Sequence, residues 1–290
     1  MILAAGFGTR LRPLTDELPK PLVPVGDRAA VAHIADRLVK AGIQEAVLNT
    51  HHLAEAFTPR RIAALPLRLR VIHEATILGT AGGVANAASW LGDGDVILWN
   101  GDILADVDIA ALLEIHRDAE AQATMVVAPR ACGEGTVGLD EQGAIVRLRG
   151  ERFGVEARGG DFLGVYALGP VLRARLPREG CLIGEGCLPA LRAGERLASF
   201  TVTTEWDDIG SIASYLRAST RWLARREMQS YVGEGAEIAE GVTLVDSVVG
   251  AGAQVTGSGW VRGAVIWPGA RVEAPLSAVV VTTAGRVARG

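Results

Sequence analysis

Residues 1–26 read MILAAGFGTRLRPLTDELPKPLVPVG. A short apolar run, Ile2 to Ala5, opens onto Gly6-Phe7-Gly8-Thr9-Arg10, and Lys20 follows between Pro19 and Pro21. A strand that ends on glycines lets backbone come close to a ligand. Successive N–H groups then point at anionic oxygens, and an arginine neutralises charge through paired donors. The string predicts a phosphate-holding turn after a strand, with Leu3, Ala4, Ala5, Gly6, Gly8, Thr9 and Arg10 facing the ligand. Two common phosphate loops are excluded. G-x-G-x-x-L lacks the third glycine of the dinucleotide fingerprint, and the G-x-x-x-x-G-K-[ST] spacing is absent.

Beyond this turn, apolar runs alternate with helical patterns. The spacing predicts helices over 29–41, 53–64, 81–90 and 110–120, and strands at 46–49, 69–73, 96–99 and 123–128. Apolar runs of four or five residues separated by helices imply parallel strands buried on both faces. After residue 128 the pattern becomes hairpin-like, with glycine-flanked strands at 143–146 and 162–168.

A different order begins near residue 230. Segments 231–238, 248–255 and 265–272 repeat at an offset of 17 residues. Aliphatics fall at 232, 238 and 244, at 249, 255 and 261, and at 266 and 272. Apolar residues spaced six, six and five apart, with small residues between, predict a left-handed β-helix of about two and a half coils. Val279-Val280-Val281 would cap it. The expected division is a domain over 1–228 and a hexapeptide-repeat module over 229–290.

Composition narrows the function. The 290 residues carry a formal charge of −4 and a pI near 5.8, which argues against a nucleic-acid binder. No apolar stretch reaches membrane-spanning length, and no signal-peptide pattern opens the chain. Cys132, Cys181 and Cys187 lack metal-ligand spacing and fit inert side chains in a reducing cytoplasm. His51-His52 lack the spacing of a helical metal pair and read as strand-end polar residues.

Two carboxylates stand where ligands bind. Asp102 follows the 96–100 apolar run and Gly101, at the carboxyl end of an expected parallel strand. Asp208 lies in Trp206-Asp207-Asp208-Ile209-Gly210, a second acidic turn. Taken singly, either serves equally as a helix cap or turn former.

The N-terminal string, Asn100-Gly101-Asp102, the Trp206–Gly210 motif and the repeat tail together resemble the sugar-phosphate nucleotidyltransferases. Members join a nucleoside triphosphate to a sugar 1-phosphate, releasing pyrophosphate. The resemblance covers nearly the whole chain. It implies a Rossmann-like α/β core of GT-A type, with a mixed, mostly parallel sheet. It also implies Arg10 and Lys20 as catalytic cations and Mg²⁺ held by Asp102 and Asp208. Asp207 falls at the variable position, and Ser211-Ile212 departs from the usual Thr-Pro. Residues 74–83 resemble the nucleobase segment, with Glu74, Gly79 and Thr80 against the base. A carboxylate at 74 could accept from guanine N1–H and N2–H₂, which favours GTP. On the sugar side Glu185 is a candidate acceptor for sugar hydroxyls, and the resemblance points to Gly135 and Gly164, with Glu151-Arg152 in place of the family's Glu-Lys-Pro. An arginine there changes phosphate geometry.

The expected activity is guanylyl transfer to mannose 1-phosphate. Uridylyl or thymidylyl transfer to glucose 1-phosphate or an N-acetylated sugar phosphate is the alternative. A non-catalytic NDP-sugar-binding subunit is the reading from another class. A β-helix acyltransferase is disfavoured because all five histidines (33, 51, 52, 73 and 116) precede the repeats. The tail is expected to be structural, packing against the core or joining subunits of a homo-oligomer.

Overall fold

The computed structural model describes all 290 residues. They form two compact units, one of Met1–Gly6, Ile34–His52 and Thr58–Trp206, the other of Phe7–His33, Leu53–Phe57 and Asp207–Gly290. No helix is long and apolar enough to cross a membrane.

The first unit is built on a 10-stranded mixed sheet. Its strands are β1 (Ile2–Leu3), β2 (Glu45–Thr50), β3 (Arg68–His73), β4 (Val96–Asn100), β5 (Ala123–Arg130), β6 (Val137–Leu139), β7 (Ile145–Leu148), β8 (Glu151–Arg152), β9 (Arg158–Leu168) and β10 (Leu197–Thr201). They run in the order β8-β7-β6-β9-β4-β1-β2-β3, with β5 beside β9 and β10 beside β5. The pairs of β1 with β2 and β4, and of β2 with β3, are parallel. From β9 outward, β9 pairs antiparallel with β4, β5 and β6, which continues antiparallel into β7 and β8. The parallel half forms because its strands are apolar on both faces: Ile2, Leu48 and Leu98 are fully buried. Its four carboxyl ends share one edge, where the register brings Ala4 level with Gly101 and Thr50, and His51 level with Glu74 one residue further along.

Helices α1 (Ala30–Lys40), α2 (Pro59–Ala63), α3 (Gly79–Asn86), α4 (Ile109–Asp118), α5 (Pro170–Ala174) and α6 (Leu188–Arg192) complete the connections. The helix expected over 53–64 is broken. A 3-10 turn covers Ala54–Ala56, and α2 starts afresh at Pro59 with Thr58 as its cap. Proline has no N–H to continue an earlier turn, so it begins a helix instead. The helix expected over 81–90 starts two residues earlier and gives way to a 3-10 turn at Ala88–Trp90.

The second unit joins three stretches of chain. Residues 7–33 form 3-10 turns and an antiparallel pair, Pro24–Val25 with Arg28–Ala29. Helix α7 (Ile212–Ala224) follows the acidic turn. Ser211 caps it reciprocally with Ser214, so the Ser-for-Thr departure supplies a capping box. The C-terminal strands are β11 (Tyr231–Val232), β12 (Glu237–Ile238), β13 (Val242–Val245), β14 (Val248–Val249), β15 (Gln254–Arg262), β16 (Val265–Ile266), β17 (Arg271–Ser277), β18 (Val279–Val281) and β19 (Val287–Arg289). They stack as parallel coils on three faces, and the pairs Tyr231 with Val248, Val248 with Val265 and Gln254 with Arg271 keep the 17-residue offset of the sequence repeat. Val249, Val255, Val261 and Ile266 point inward and are essentially buried. Val232, in the first coil, is 45% exposed. β18 pairs antiparallel with β19 and closes the stack. The coils of 229–290 thus share their compact unit with residues 7–33 and α7.

Candidate functional site

In the first unit, the carboxyl edge of the parallel strands is laced by one buried network. Ala4 N donates to Asn49 Oδ1 at 2.8 Å, and Asn49 Nδ2 donates to Glu74 Oε1 at 2.8 Å. Leu78 N donates to the other Glu74 oxygen at 3.2 Å. Glu74 is only 2% exposed. The sequence expectation sets this carboxylate against a base edge; in the structure both of its oxygens accept from the protein itself. Both oxygens are engaged inward, because a buried carboxylate must be satisfied by nearby donors. Glu74 instead ties Ala4, at the end of β1, to the start of α3.

The glycines of that segment answer to backbone approach. Gly79 has φ +73°, and a Cβ on it would lie 2.3 Å from Gly180 O. A Cβ on Gly83 would fall 3.0 Å from Glu74 Oε1. Ala81 N donates to Gly180 O at 2.9 Å, and Gly180 N to Leu78 O at 2.8 Å. Thr80 Oγ1 accepts from Leu182 N at 2.7 Å, which opens the π-helix Leu182–Cys187 carrying Glu185. The sequence-predicted Gly79, Thr80 and Glu185 therefore belong to one locked cluster.

Asp102 sits on the turn after β4. Gly101 N donates to Leu3 O at 2.9 Å, and Trp99 Nε1 donates to Ile103 O at 2.8 Å. These bonds brace the turn from both sides. Gly164, with φ +80°, lies opposite Asn100, whose Nδ2 would be 2.5 Å from an added Cβ. The glycine permits the register shift in β9 between Phe162 and Tyr166.

The sugar-side residues separate. Gly135 (φ +71°) bridges to Gly160 and is held by Arg147, whose Nη1 donates to Gly135 O at 3.1 Å. Arg147 also donates through Nε and Nη2 to the two oxygens of Glu156, at 2.8 and 3.0 Å. That pairing holds the Glu156 carboxyl down to about 2, against the effect of its burial. Arg192 grips the Glu151 carboxylate in a two-point ion pair on the exposed edge. Arg152 is the cross-strand neighbour of Arg147. The arginine that reaches the Glu185 cluster is Arg149, whose Nη2 is 3.0 Å from Cys181 Sγ. Arg149 and Gly150 both have positive φ and form the two-residue turn between β7 and β8. The adjacent Arg149-Gly150 after the apolar run 144–148 was the available sequence signal.

The cysteines differ from one another. Burial pushes Cys187 up to about 12, which makes it inert. At Cys181 burial acts upward too, but the Gly184 and Ile183 N–H groups, Arg149 and Thr80 bring the thiol below its ordinary value.

In the second unit, Gly8 adopts φ +63° and starts the 3-10 turn Thr9–Leu11. Thr15 Oγ1 donates to Gly8 O at 2.9 Å, and a Cβ on Gly8 would strike the Thr15 methyl at 2.7 Å. Leu11, Leu14 and Thr15 are fully buried, while Thr9 and Arg10 are exposed. The apolar residues anchor the loop and leave its cationic tip outside. Lys20 opens the turn Lys20–Leu22 between buried Pro19 and Pro21. In the acidic turn, Asp207 is buried and faces Arg221 at 2.8 Å. Asp208 is the partly exposed one, and its Oδ1 would lie 2.7 Å from a Cβ on Gly210. The missing side chain makes room for this carboxylate. No group of three or more His, Cys, Asp or Glu side chains forms a metal cage.

Residues 1–152 match the nucleotidyl transferase family, and the chain belongs to it. A mannose-1-phosphate guanylyltransferase of Mycobacterium tuberculosis is 31% identical over 94% of this chain and 81% of its own length. A mannose-1-phosphate guanylyltransferase catalytic subunit beta of Dictyostelium discoideum is 31% identical over 74% of this chain and 62% of its own. Among solved structures, HddC from Yersinia pseudotuberculosis complexed with GMP-PN superposes with a TM-score of 0.64 at 23% identity, covering 76% of this chain and 97% of that one. That likeness establishes the fold.

Proposed function

We propose that the protein is a mannose-1-phosphate guanylyltransferase, joining GTP and mannose 1-phosphate to give GDP-mannose and pyrophosphate. The carrying observation is the 31% identity to the mycobacterial enzyme over 94% of this chain. In this reaction a phosphate oxygen of the sugar bonds to the α-phosphorus, the bond from that phosphorus to the bridging oxygen breaks, and pyrophosphate leaves with its electron pair. The protein's task is placement and charge neutralisation. Gly8 and its neighbours present backbone N–H groups, while Arg10 and Lys20 supply cations toward the phosphates. The Ala4–Asn49–Glu74 network holds the glycine segment at Gly79 and Thr80 rigid, so that a base rests against backbone. On the sugar side, Arg149 rather than Arg152 is the cation for the sugar phosphate, because it lies against the turn that leads to Glu185.

Asp102 and Asp208 suit Mg²⁺. They are hard oxygen donors, and this ion binds through one or two carboxylates plus substrate phosphates without a closed protein cage. When bound, it would neutralise phosphate charge.

The test is pyrophosphate release from GTP, ATP, UTP and dTTP against mannose 1-phosphate and glucose 1-phosphate, with and without Mg²⁺. Turnover greatest with GTP and mannose 1-phosphate is expected. Preference for another pair would replace the substrate assignment, and no turnover with any pair would sink the enzyme reading.

A further inference from the structure

Within the second unit, the C-terminal strands and the cationic loop are fastened to each other at two points. The turn 282–286 joins β18 to β19 and is braced by Thr282 N to Arg286 O at 2.9 Å, Gly285 N to Thr282 O at 2.9 Å and Arg286 N to Thr282 Oγ1 at 3.1 Å. This turn closes on Glu17. Thr282 Oγ1, fully buried, donates to Glu17 Oε1, and Ala284 N donates to Oε2 at 3.2 Å. Arg286 sets Nε 3.6 Å from Glu17 Oε1 and Nη1 3.1 Å from Asp16 Oδ2. The other Asp16 oxygen faces Arg12 at 3.2 Å. The Glu17 side chain is 14% exposed. A carboxylate so enclosed depends on these donors.

The second point lies seven residues on. Tyr215 of α7 donates to Pro24 O, and Trp267, itself 1% exposed, donates through Nε1 to Tyr215 Oη at 3.1 Å. Gly26 lies flat against the Trp222 ring, where an added Cβ would be 2.0 Å away. Lys20 therefore stands between two anchors, Glu17 and Pro24. Glu17 also ends the 3-10 turn Leu14–Asp16, whose Thr15 holds Gly8 O. The contact thus continues backwards to the left-handed glycine that aims Thr9 and Arg10.

We propose that the turn 282–286, acting through Glu17, is a positioning element for the phosphate loop: Thr282 and Arg286 fix the segment between Arg10 and Lys20. The C-terminal coils are then part of the triphosphate site's rigidity and not only a tail. Arg286 also offsets two carboxylates that would otherwise add negative charge to a segment that receives phosphates. The proposal rests on the reading that Arg10 and Lys20 meet the triphosphate.

The experiment compares the full chain with Arg286→Ala, Arg286→Lys, Thr282→Val and Glu17→Ala. Three readouts are taken: hydrogen exchange of amides 8–22 against those of 248–266, kcat and KM for GTP, and thermal unfolding. Arg286→Ala breaks part-exposed ion pairs and should raise KM for GTP by roughly threefold. Glu17→Ala removes charge-assisted bonds at an enclosed site and should raise it by roughly tenfold or more. Exchange of 8–22 should quicken in both, with 248–266 and kcat nearly unchanged, and Arg286→Lys should restore most of the loss. Thr282→Val keeps the shape and deletes only the hydroxyl, so it serves if a larger change prevents folding. The proposal is overturned if exchange of 8–22 stays as in the parent. It is equally overturned if 248–266 loosens to the same degree, which would make the contact general scaffolding. If the parent releases no pyrophosphate with any substrate pair, the functional reading fails, while the exchange comparison still decides the clamp.

Discussion

Glu74 and Glu156 are acidic residues whose burial decides their roles. Glu74 is satisfied by Asn49 and Leu78. Glu74→Gln turns one acceptor into a donor facing another donor, and should cost about 1–3 kcal/mol of stability in urea unfolding. A residue that read the base edge would instead shift the ranking of the four triphosphates with unfolding unchanged, and that result would support the sequence expectation. Glu156 carries a pH signature. Arg147, followed by the Gly133 N–H, holds its carboxyl near 2 from an ordinary 4.5. The folded state then refuses a proton that the unfolded chain accepts, so the pair's contribution is complete above about 4.5 and disappears as pH falls towards 2. Glu156→Gln should lower stability at neutral pH and flatten the decline across that window. An unchanged slope there would show that the pair does not control it.

Elements carry the next level of specification, and glycine is where they touch. Gly79→Ala must accommodate a left-handed φ and a Cβ 2.3 Å from Gly180 O. It should destabilise the first unit by about 2–4 kcal/mol and raise KM for the triphosphate, because α3 and the 178–180 backbone must part. Retained stability and KM would mean the segment relaxes freely. Much at this level was readable in the chain. Apolar runs such as 96–99 are long enough only for strands buried on both faces, and the 17-residue repeat matched the pairing of Tyr231 with Val248. Pro59 announced the break in the 53–64 pattern, although helical spacing hid it. What stayed illegible was partnership at a distance. Nothing local says that Arg147 serves Glu156 while Arg149 faces Cys181. Nor does sequence show that Glu17 meets Thr282 across a separation of 265 residues. Ion pairs of this kind depend on the folded register, not on neighbouring residues.

The whole molecule has a second acid-sensitive range, above the one set by Glu156, because one unit buries a histidine and the other half-buries one. His116, 3% exposed, bonds Thr124 Oγ1 through Nδ1 at 2.9 Å, and its Nε2 is 3.6 Å from Asp95. Burial pulls its pKa below 6.5, with Arg117 assisting and Asp95 opposing. His33 donates through Nε2 to Val25 O at 2.8 Å, and burial again lowers it, supported by Arg28 and Arg226 and opposed by Val25 O and Asp27. For a lowered histidine the sign is fixed: below 6.5 the unfolded chain gains protons that the folded rings resist. Stability should be greatest above 6.5 and fall as the pH drops, before Glu156 begins to titrate. Denaturant unfolding at pH 7.5 and 5.5 checks this for the parent, His116→Gln and His33→Gln. Each variant removes one proton-binding difference, so each should reduce the loss between the two pH values, and the double variant should reduce it further. If the units unfold in separate transitions, His116→Gln should flatten only the one belonging to the sheet, and His33→Gln only the one belonging to the coils. A loss that is the same in all four proteins would show that neither ring sets the acid limit near neutrality.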